Sequence, residues 1–166
     1  ERERSSIGEV KAAADLVIDT TGLTVHQLKS QLVQLFGPDN PSDSMQVSVL
    51  SFGFKHGVPI DVDMVFDVRF LPNPHWDEAL RPFSGLDEPV KDYVFSQEVT
   101  GQFMEHVDNL LKLILPAYVQ EGRSYLTIGI GCTGGRHRSV AIAEALGLSI
   151  AAHGYRPRVS HRDINA

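Results

Sequence analysis

The stretch that decides the fold reads Gly131-Cys132-Thr133-Gly134-Gly135-Arg136-His137-Arg138-Ser139. The apolar residues 124–130 before it predict a buried strand, and residues 136–153 predict a helix that is apolar on most faces. A glycine-rich turn between a strand and a helix is typical of α/β sheets, in which ligands gather at the carboxyl ends of the strands. The sequence therefore places a candidate site in this turn.

The chemistry of this turn favours an anion. Gly134 and Gly135 provide the backbone freedom that lets N–H groups approach a ligand, and the start of a helix carries about half a positive charge. Arg138 offers a forked donor for phosphate oxygens, and Thr133 and Ser139 offer hydroxyl groups. We expect a phosphate here. The simpler alternative is a tight turn with exposed basic residues.

Strands and helices alternate along the rest of the main body. Further strands are expected at residues 45–53, 64–70 and 155–160, the second with the alternation of a half-buried strand. Apolar residues recur at helical spacing from Val99 to Ile114 and predict a core helix that Pro116 kinks or ends. The pattern predicts an α/β fold with a mixed, at least partly parallel sheet, flanking helices, and a glycine-rich anion loop between a strand and a helix.

The first 38 residues differ from the remainder. Residues 1–14 have helical propensity, residues 14–20 read as a short buried strand, and Thr24 with Gln27 forms a capping-box pattern before a helix that Gly37-Pro38 ends. A polar loop follows at 39–44. We expect residues 1–38 to be the end of a preceding domain or a linker, and residues 39–166 to form the main domain.

Composition limits the class of protein. The chain has 166 residues, of which 42% are hydrophobic and 22% charged, with a net charge of -6 and a single cysteine. These values indicate a soluble domain without an internal disulfide, in a reducing cytoplasmic setting, and no apolar run approaches the roughly 20 residues of a membrane span. Residues 136–162 contain five arginines and one acid, Glu144, which favours a local anion site on an acidic body.

One enzymatic interpretation competes with a binding module. The spacing Cys132-x5-Arg138-Ser139 is that of tyrosine-phosphatase-like enzymes, in which a thiolate attacks phosphorus and the arginine clamps its oxygens. Position 131 is glycine where those enzymes usually have histidine. Candidates for the general acid are Asp61, Asp63 and Asp77. A small buried cysteine at a strand end is the alternative for Cys132.

Three long strings resemble one family. They are Ser51-Phe52-Gly53-Phe54-Lys55-His56-Gly57, Phe66-Asp67-Val68-Arg69-Phe70-Leu71-Pro72-Asn73-Pro74, and residues 131–140. Together they are similar to the C-terminal domain of the RapZ (YvcJ-like) family. The resemblance covers essentially the whole chain, with residues 14–20 matching the last strand of the family's preceding domain.

The resemblance implies a bacterial nucleotide-binding protein whose preceding domain carries a Walker A loop for ATP or GTP. This chain has no Gly-x4-Gly-Lys-Ser/Thr, so we expect an excised module with no cofactor of its own. In the best-known branch this domain senses glucosamine 6-phosphate, binds small regulatory RNA and presents it to an endoribonuclease. The expected role is a non-catalytic regulatory module, forming a homo-oligomer.

The resemblance also implies site residues. His56, Thr133, Gly134 and Arg138 match the family's metabolite pocket, and Cys132, Gly135 and Ser139 complete the candidate ligand-binding set. A possible RNA surface consists of Arg136, His137, Arg138, Arg156, Arg158 and Arg162, through phosphate contacts that carry little base information. The RNA-binding branch ends in a lysine- and arginine-rich tail, whereas this chain ends in Asp163-Ile164-Asn165-Ala166. We therefore expect weaker RNA binding.

The remaining features are less specific. The loop Asn73-Pro74-His75-Trp76 is either a lid or partner contact anchored by Trp76, or an ordered loop pinned by that aromatic side chain. Asp67 and Arg69 either orient the pocket or pair with each other or a neighbouring strand. Tyr125 and Tyr155 are expected in the core. Scattered histidines and a single cysteine predict no metal site.

Overall fold

A computed structural model of the chain describes Val10, residues 13–36 and residues 45–166. The chain divides into two compact units, Glu1–Gly37 and Pro38–Ala166. Among the described residues of the first unit, helix α1 spans Val25–Phe36. Val10 and Ala13 are also in helical conformation. The predicted ending of this helix at Gly37-Pro38 and the loop at 39–44 lie outside the described residues, as does most of the predicted opening helix.

The predicted capping box at the start of α1 is confirmed. The amide of Thr24 donates to Oε1 of Gln27 at 2.8 Å, and the amide of Gln27 donates to Oγ1 of Thr24 at 3.2 Å. This reciprocal pair satisfies two N–H groups that a helix start leaves without partners.

The predicted strand at 14–20 is wrong, because this segment forms no strand and exposes Leu16 and Val17. A strand needs a neighbour to pair with, and none pairs with it in the described part of the chain.

The second unit contains a four-stranded sheet and three helices. In chain order its elements are β1 Gln46–Gly53, β2 Met64–Asp67, α2 Glu88–Phe95, α3 Glu98–Glu121, β3 Tyr125–Cys132, α4 Arg138–Ala152 and β4 Arg158–His161. Single 3-10 turns occur at Phe54–His56 and Pro74–Trp76. The strand order is β2-β3-β1-β4 and every pair is parallel. The predicted α/β class is confirmed, and the sheet is parallel throughout its described strands.

The helices pack on one face of the sheet. Alternate residues of β1 and β3, such as Val49 and Ile128, point to this face and contact the apolar side of α4, including Ile142. Helices α2 and α3 contact the other side of α4, which is why α4 is apolar on most faces. Each fully buried Leu or Ile contributes about 1.5–3 kcal/mol relative to an exposed one. This core fixes the start of α4 against the end of β3.

Several predicted boundaries shift. Strand β2 ends at Asp67 rather than at residue 70, because the amide and side chain of Arg69 both bond the Asp67 carboxylate and turn the chain. Helix α3 continues past Pro116 to Glu121 and ends at Gly122, whose φ of 87° is left-handed. Tyr155 is buried as predicted, but Tyr125 is 70% exposed, so its placement in the core was wrong.

The carboxyl ends of β1 and β3 lie side by side, with Gly53 in register with Cys132. The chain leaves β1 into the turn Phe54–His56 and leaves β3 into residues 133–137. These two exits pack backbone against backbone: a Cβ on Gly53 would lie 2.5 Å from the carbonyl carbon of Gly134. Two loops that approach this closely form one edge of the domain.

Among the residues described, no helix is long and apolar enough to cross a bilayer.

Candidate functional site

A cleft of about 350 Å³ opens at this carboxyl edge. Four parts of the chain contribute to it: the turn after β1, the turn Pro74–Trp76, the loop that leads from β3 into α4, and the C-terminal residues. The lining residues are Lys55, Asn73, His75, Trp76, Cys132, Thr133, Gly134, Arg136, His137, Arg138 and Ala166. The position matches the expectation that ligands of parallel sheets bind beyond the carboxyl ends of the strands.

The charge of the cleft is one-sided. Its described lining includes the cationic side chains of Lys55, Arg136 and Arg138 and no aspartate or glutamate. The chain as a whole carries a net charge of -6, so the cleft is a local exception on an acidic protein. A concave site lined by one sign of charge concentrates ligands of the opposite sign. The cleft is therefore suited to an anion.

Arg138 lies under the cleft and is only 4% exposed. Its Nη1 donates to the carbonyl oxygens of Arg69 at 2.9 Å and Leu71 at 2.8 Å, and its Nη2 donates to Oγ1 of Thr133 at 3.2 Å. Burial lowers the pKa of this guanidinium from its ordinary value, yet arginine remains charged. Arg138 thus ties the segment after β2 to the start of α4, as well as lining the cleft.

The Nε of Arg138 is buried and has no hydrogen-bond partner among the described residues. A buried N–H without a partner costs about 1–3 kcal/mol, so such groups are rare in folded proteins. This nitrogen is closed off from solvent, so Arg138 faces the cleft with its other guanidinium nitrogens.

Cys132 and Ser139 hold the loop from inside. The Sγ atom of Cys132 accepts a hydrogen bond from the amide of Gly135 at 3.2 Å and lies 3.1 Å from Oγ of Ser139. Both side chains are buried. Gly135 has a φ of 79°, and a Cβ there would lie 2.6 Å from the amide nitrogen of Gly53. Gly135 is therefore required by the fold itself.

Gly134 differs from Gly135 in this respect. Its φ is not left-handed, and a Cβ there would meet only Cε of Lys55, at 4.0 Å. The fold does not require glycine at this position, yet its backbone lines the cleft between Lys55 and Thr133. The amide of Lys55 donates to the Thr133 carbonyl at 3.2 Å, which fixes the lysine beside the loop. A bare backbone next to a lysine is a suitable place for a phosphate to approach.

Arg136 and His137 connect the loop to the long segment before α2. The guanidinium of Arg136 donates to the carbonyl oxygens of Pro82, Phe83 and Ile164. The ring of His137 is buried, with Nε2 3.4 Å from the Arg81 carbonyl oxygen. Desolvation by burial lowers the pKa of His137, which keeps this ring neutral at pH 7. Both residues have structural roles in addition to lining the cleft.

The other predicted residues lie outside the cleft lining. His56 is exposed on the turn after β1, outside the cleft lining and near the Asp163 carboxylate. Arg162 donates to the carbonyl oxygens of Gly53 and Gly57 and to the Asp163 carboxylate. Arg158 begins β4, in register with Ser48 and so away from the carboxyl edge, and Arg156 precedes it. The structure brings together three of the six residues proposed for RNA contact, Arg136, His137 and Arg138.

Sequence reasoning missed five residues as parts of this cleft: Lys55, Asn73, His75, Trp76 and Ala166. A signal for Lys55 was present, because it lies two residues after the end of β1, and neighbouring parallel strands end at the same edge. The turn Pro74–Trp76 was singled out, but its place at the edge follows from the tertiary fold. Its order does not come from Trp76, which is 79% exposed; Pro74 is the buried residue of this turn.

Asp and Glu side chains suitable for catalysis are absent from the described lining. Asp63 pairs with Arg123 and accepts the amide of Thr127, and Asp77 accepts the amide of Ala79. Neither of these lines the cleft, and neither does Asp61. Asp67 pairs with Arg69, the second of the two arrangements that the sequence left open. Among the side chains that the structure describes, no three of His, Cys, Asp or Glu group closely enough to hold a metal ion.

Comparison with known proteins places these observations in a family. Residues 45–165 match the family described as the RapZ C-terminal domain. Nucleotide-binding proteins of Frankia casuarinae, Rhodococcus jostii and Trichlorobacter lovleyi are 52%, 51% and 50% identical to this chain over 163, 163 and 162 residues. Each alignment covers 98% of this chain and 56%, 53% and 57% of the respective relative. The chain spans about half the length of the curated relatives it matches.

Proposed function

The chain belongs to the RapZ C-terminal domain family, and we propose that its cleft holds the phosphate of a phosphorylated amino sugar, glucosamine 6-phosphate. In this proposal the domain is a non-catalytic regulatory module of the bacterial cytoplasm, and occupancy of the cleft controls RNA processing by a ribonuclease. The observation that carries it is the cleft itself, which has three cations and no described acidic side chain in its lining.

The phosphate would lie against the backbone of Gly134. Lys55 supplies a mobile ammonium from one side, and Arg138 supplies its Nη2 from below. The exposed hydroxyl of Thr133 already accepts a bond from Arg138 and is free to donate its own proton to a phosphate oxygen. The start of the 15-residue helix α4 adds a positive dipole end to the same place. All four contributions favour a phosphate.

The size of the cleft agrees with a small ligand. Its volume of about 350 Å³ is near the lower end of the roughly 300–1,000 Å³ that small-molecule sites span. A hexose phosphate leaves its ring close to Asn73 and His75, whose polar atoms are suited to hydroxyl groups. His56 lies outside this cleft, so a contact with the ligand would require it to move.

Regulation would follow from shared cations. RNA phosphates and a sugar phosphate both seek positive charge, and Lys55, Arg136 and Arg138 are the cations of this cleft. A metabolite that occupies them weakens RNA binding by competition, and the coupling is reciprocal. RNA affinity measured with and without saturating glucosamine 6-phosphate tests this step. Equal affinities would contradict it.

Calorimetric titration of glucosamine 6-phosphate into the protein tests the binding step. We expect a single site, at least tenfold weakened in Lys55→Gln and in Gly134→Ala. The matched control is Lys91→Gln, because Lys91 pairs with Glu88 on α2 and lies outside the cleft. Absence of heat, or equal affinities in all four proteins, would contradict the proposal.

A second candidate is a cysteine-dependent phosphatase. The observation in its favour is the environment of Cys132, whose sulfur is close to the Gly135 amide, the Ser139 hydroxyl and the start of α4. Two observations weigh against it. The Nη1 of Arg138 is already bonded to two carbonyl oxygens, and no described Asp or Glu side chain lines the cleft to act as general acid. Binding without hydrolysis is the function that the geometry favours.

A further inference from the structure

Trp76 is an exposed aromatic residue at the rim of an anion cleft. Its side chain is 79% exposed, although it lines the same cleft as Lys55 and Gly134. Because most of its surface remains in contact with water, this aromatic side chain contributes little to the hydrophobic core. It is the arrangement expected of a ligand-binding platform.

The backbone that carries Trp76 is firmly held. Oδ1 of Asn73 accepts the amide of His75, Pro74 is buried, and Nε of Arg81 donates to the His75 carbonyl at 3.0 Å. The amide of Trp76 donates to the carbonyl of Asn73. These bonds order the turn without using the indole ring. The ring is therefore presented on a preorganised support, which reduces the entropy cost of binding.

Aromatic rings continue from the rim toward the loop. The His75 ring lies 5.8 Å from that of Trp76 and 6.2 Å from that of His137, both in edge-to-face geometry. His137 directly precedes α4, and the start of this helix is part of the proposed phosphate site. One wall of the cleft is thus aromatic and the other is cationic. A ligand that matches both walls has a flat ring system and a phosphate.

We propose that the cleft accepts a nucleotide unit, with its phosphate between Lys55 and Gly134 and its base stacked on Trp76. The phosphate half rests on the proposed function, whereas the stacking half is carried by Trp76 alone. The described lining has no Asp or Glu side chain, which agrees with an uncharged base beside the phosphate. A free nucleoside 5′-monophosphate and a nucleotide of single-stranded RNA present the same groups.

Trp76 makes the proposal directly measurable, because it is the single tryptophan of the chain. Its fluorescence is followed while uridine or adenosine 5′-monophosphate is added to the full chain. Ribose 5-phosphate, which lacks the base, and adenosine, which lacks the phosphate, are titrated in parallel. We expect saturable quenching by the nucleotides, none by ribose 5-phosphate, and much weaker binding of adenosine.

Two substitutions separate stacking from phosphate binding. Calorimetry should show that Trp76→Leu weakens nucleotide binding about 5- to 150-fold, the range that stacking of one base on an aromatic side chain provides, while Trp76→Phe retains most of it. Ribose 5-phosphate should bind equally to the wild type and Trp76→Leu. Gly134→Ala should weaken both ligands, because both place a phosphate on the same backbone.

The outcomes are distinguishable from those of the proposed function. If glucosamine 6-phosphate binds but nucleotides neither quench Trp76 nor bind more tightly than ribose 5-phosphate, the phosphate site stands and the nucleotide proposal is overturned. Unchanged nucleotide affinity in Trp76→Leu overturns it as well. A single-stranded RNA hexamer that binds more tightly than the mononucleotide and loses this gain in Trp76→Leu supports an RNA source. Equal affinity for the two supports a free nucleotide.

Discussion

The amide of Gly53 donates a 2.7 Å hydrogen bond to Oδ2 of Asp163, which lies 110 residues later in the chain. This bond joins the end of β1 to the turn after β4. Nε and Nη2 of Arg162 bond the same carboxylate, and the Arg162 guanidinium also lies over the ring of Phe52. The carboxyl edge that forms the cleft is therefore held by a buried charged group rather than by apolar packing alone.

Asp163 should make stability dependent on acidity. Burial acts to raise the pKa of its carboxyl group, but the bonds from Arg162 and Gly53 outweigh burial and lower it. A lowered pKa stabilises the folded state above the unfolded value of about 3.9. This contribution is lost as the pH falls through the lower folded value. Urea unfolding should therefore show a stability loss beginning below about pH 4 to 5.

Asp163→Asn tests this directly. Asparagine cannot accept the same charge-assisted bonds, so the variant should lose about 1.5–3 kcal/mol of unfolding free energy at pH 7. It should also lose part of the dependence on acid. The matched control is Asp92→Asn, at an exposed aspartate of α2. A variant as stable as the control, with the pH profile of the wild type, would show that this carboxylate does not hold the edge.

Two adjacent glycines should respond in opposite ways to alanine. Gly134→Ala should fold with a melting temperature equal to or slightly above that of the wild type, because its site tolerates a Cβ and alanine restricts the unfolded chain. Gly135→Ala should be destabilised by more than about 1 kcal/mol, because its φ of 79° and the nearby Gly53 backbone exclude a Cβ. Thermal unfolding followed by circular dichroism measures both. Equal loss in the two variants would contradict this distinction.

Arg138 should prove structural as well as ligand-binding. Lysine keeps the charge but cannot bond Arg69 and Leu71 and reach Thr133 at the same time. Arg138→Lys should lose at least about 1.5 kcal/mol of unfolding free energy, since buried carbonyl oxygens lose their charged donor. Chemical denaturation gives the value. Surface substitutions usually change the unfolding free energy by less than about 0.5 kcal/mol. A change as small as that in Arg138→Lys would show that these bonds contribute little.

Cys132 should be dispensable for binding. In Cys132→Ser the hydroxyl retains hydrogen-bonding capacity toward Gly135 and Ser139, so the loop should keep its conformation. We expect glucosamine 6-phosphate affinity within threefold of the wild type and no release of inorganic phosphate by either protein. Phosphate release by the wild type that disappears in Cys132→Ser, with binding retained, would establish the phosphatase instead.

Local patterns in the sequence predicted several elements of the chain well. The strand before Cys132, the helix after it and the capping box at Thr24 depend on short-range periodicity and local hydrogen bonds, which sequence displays directly. The segment at 14–20 shows the limit of this reasoning. Its apolar residues have strand propensity, but a strand is completed by a neighbour that propensity does not specify.

The cleft was predictable only in part. The glycine-rich loop after β3 was identifiable because one short stretch contains its glycines, hydroxyls and cations. The contributions of Lys55 and Trp76 depend on which loops meet at the sheet edge, and that follows from strand order. The hydrogen bonds from Arg136, Arg138 and Arg162 to backbone carbonyls could not be predicted either. Every residue has a carbonyl group, so the sequence does not indicate which distant carbonyl an arginine will contact.

The most direct test of the central claim is a phosphorus NMR spectrum of glucosamine 6-phosphate with the purified protein, recorded over hours beside Gly134→Ala. We predict a shifted or broadened phosphate resonance with the wild type, a spectrum close to that of the free ligand with Gly134→Ala, and no inorganic phosphate. An unperturbed resonance with the wild type, or an equal perturbation by the folded Gly134→Ala variant, would contradict a phosphate site in this cleft.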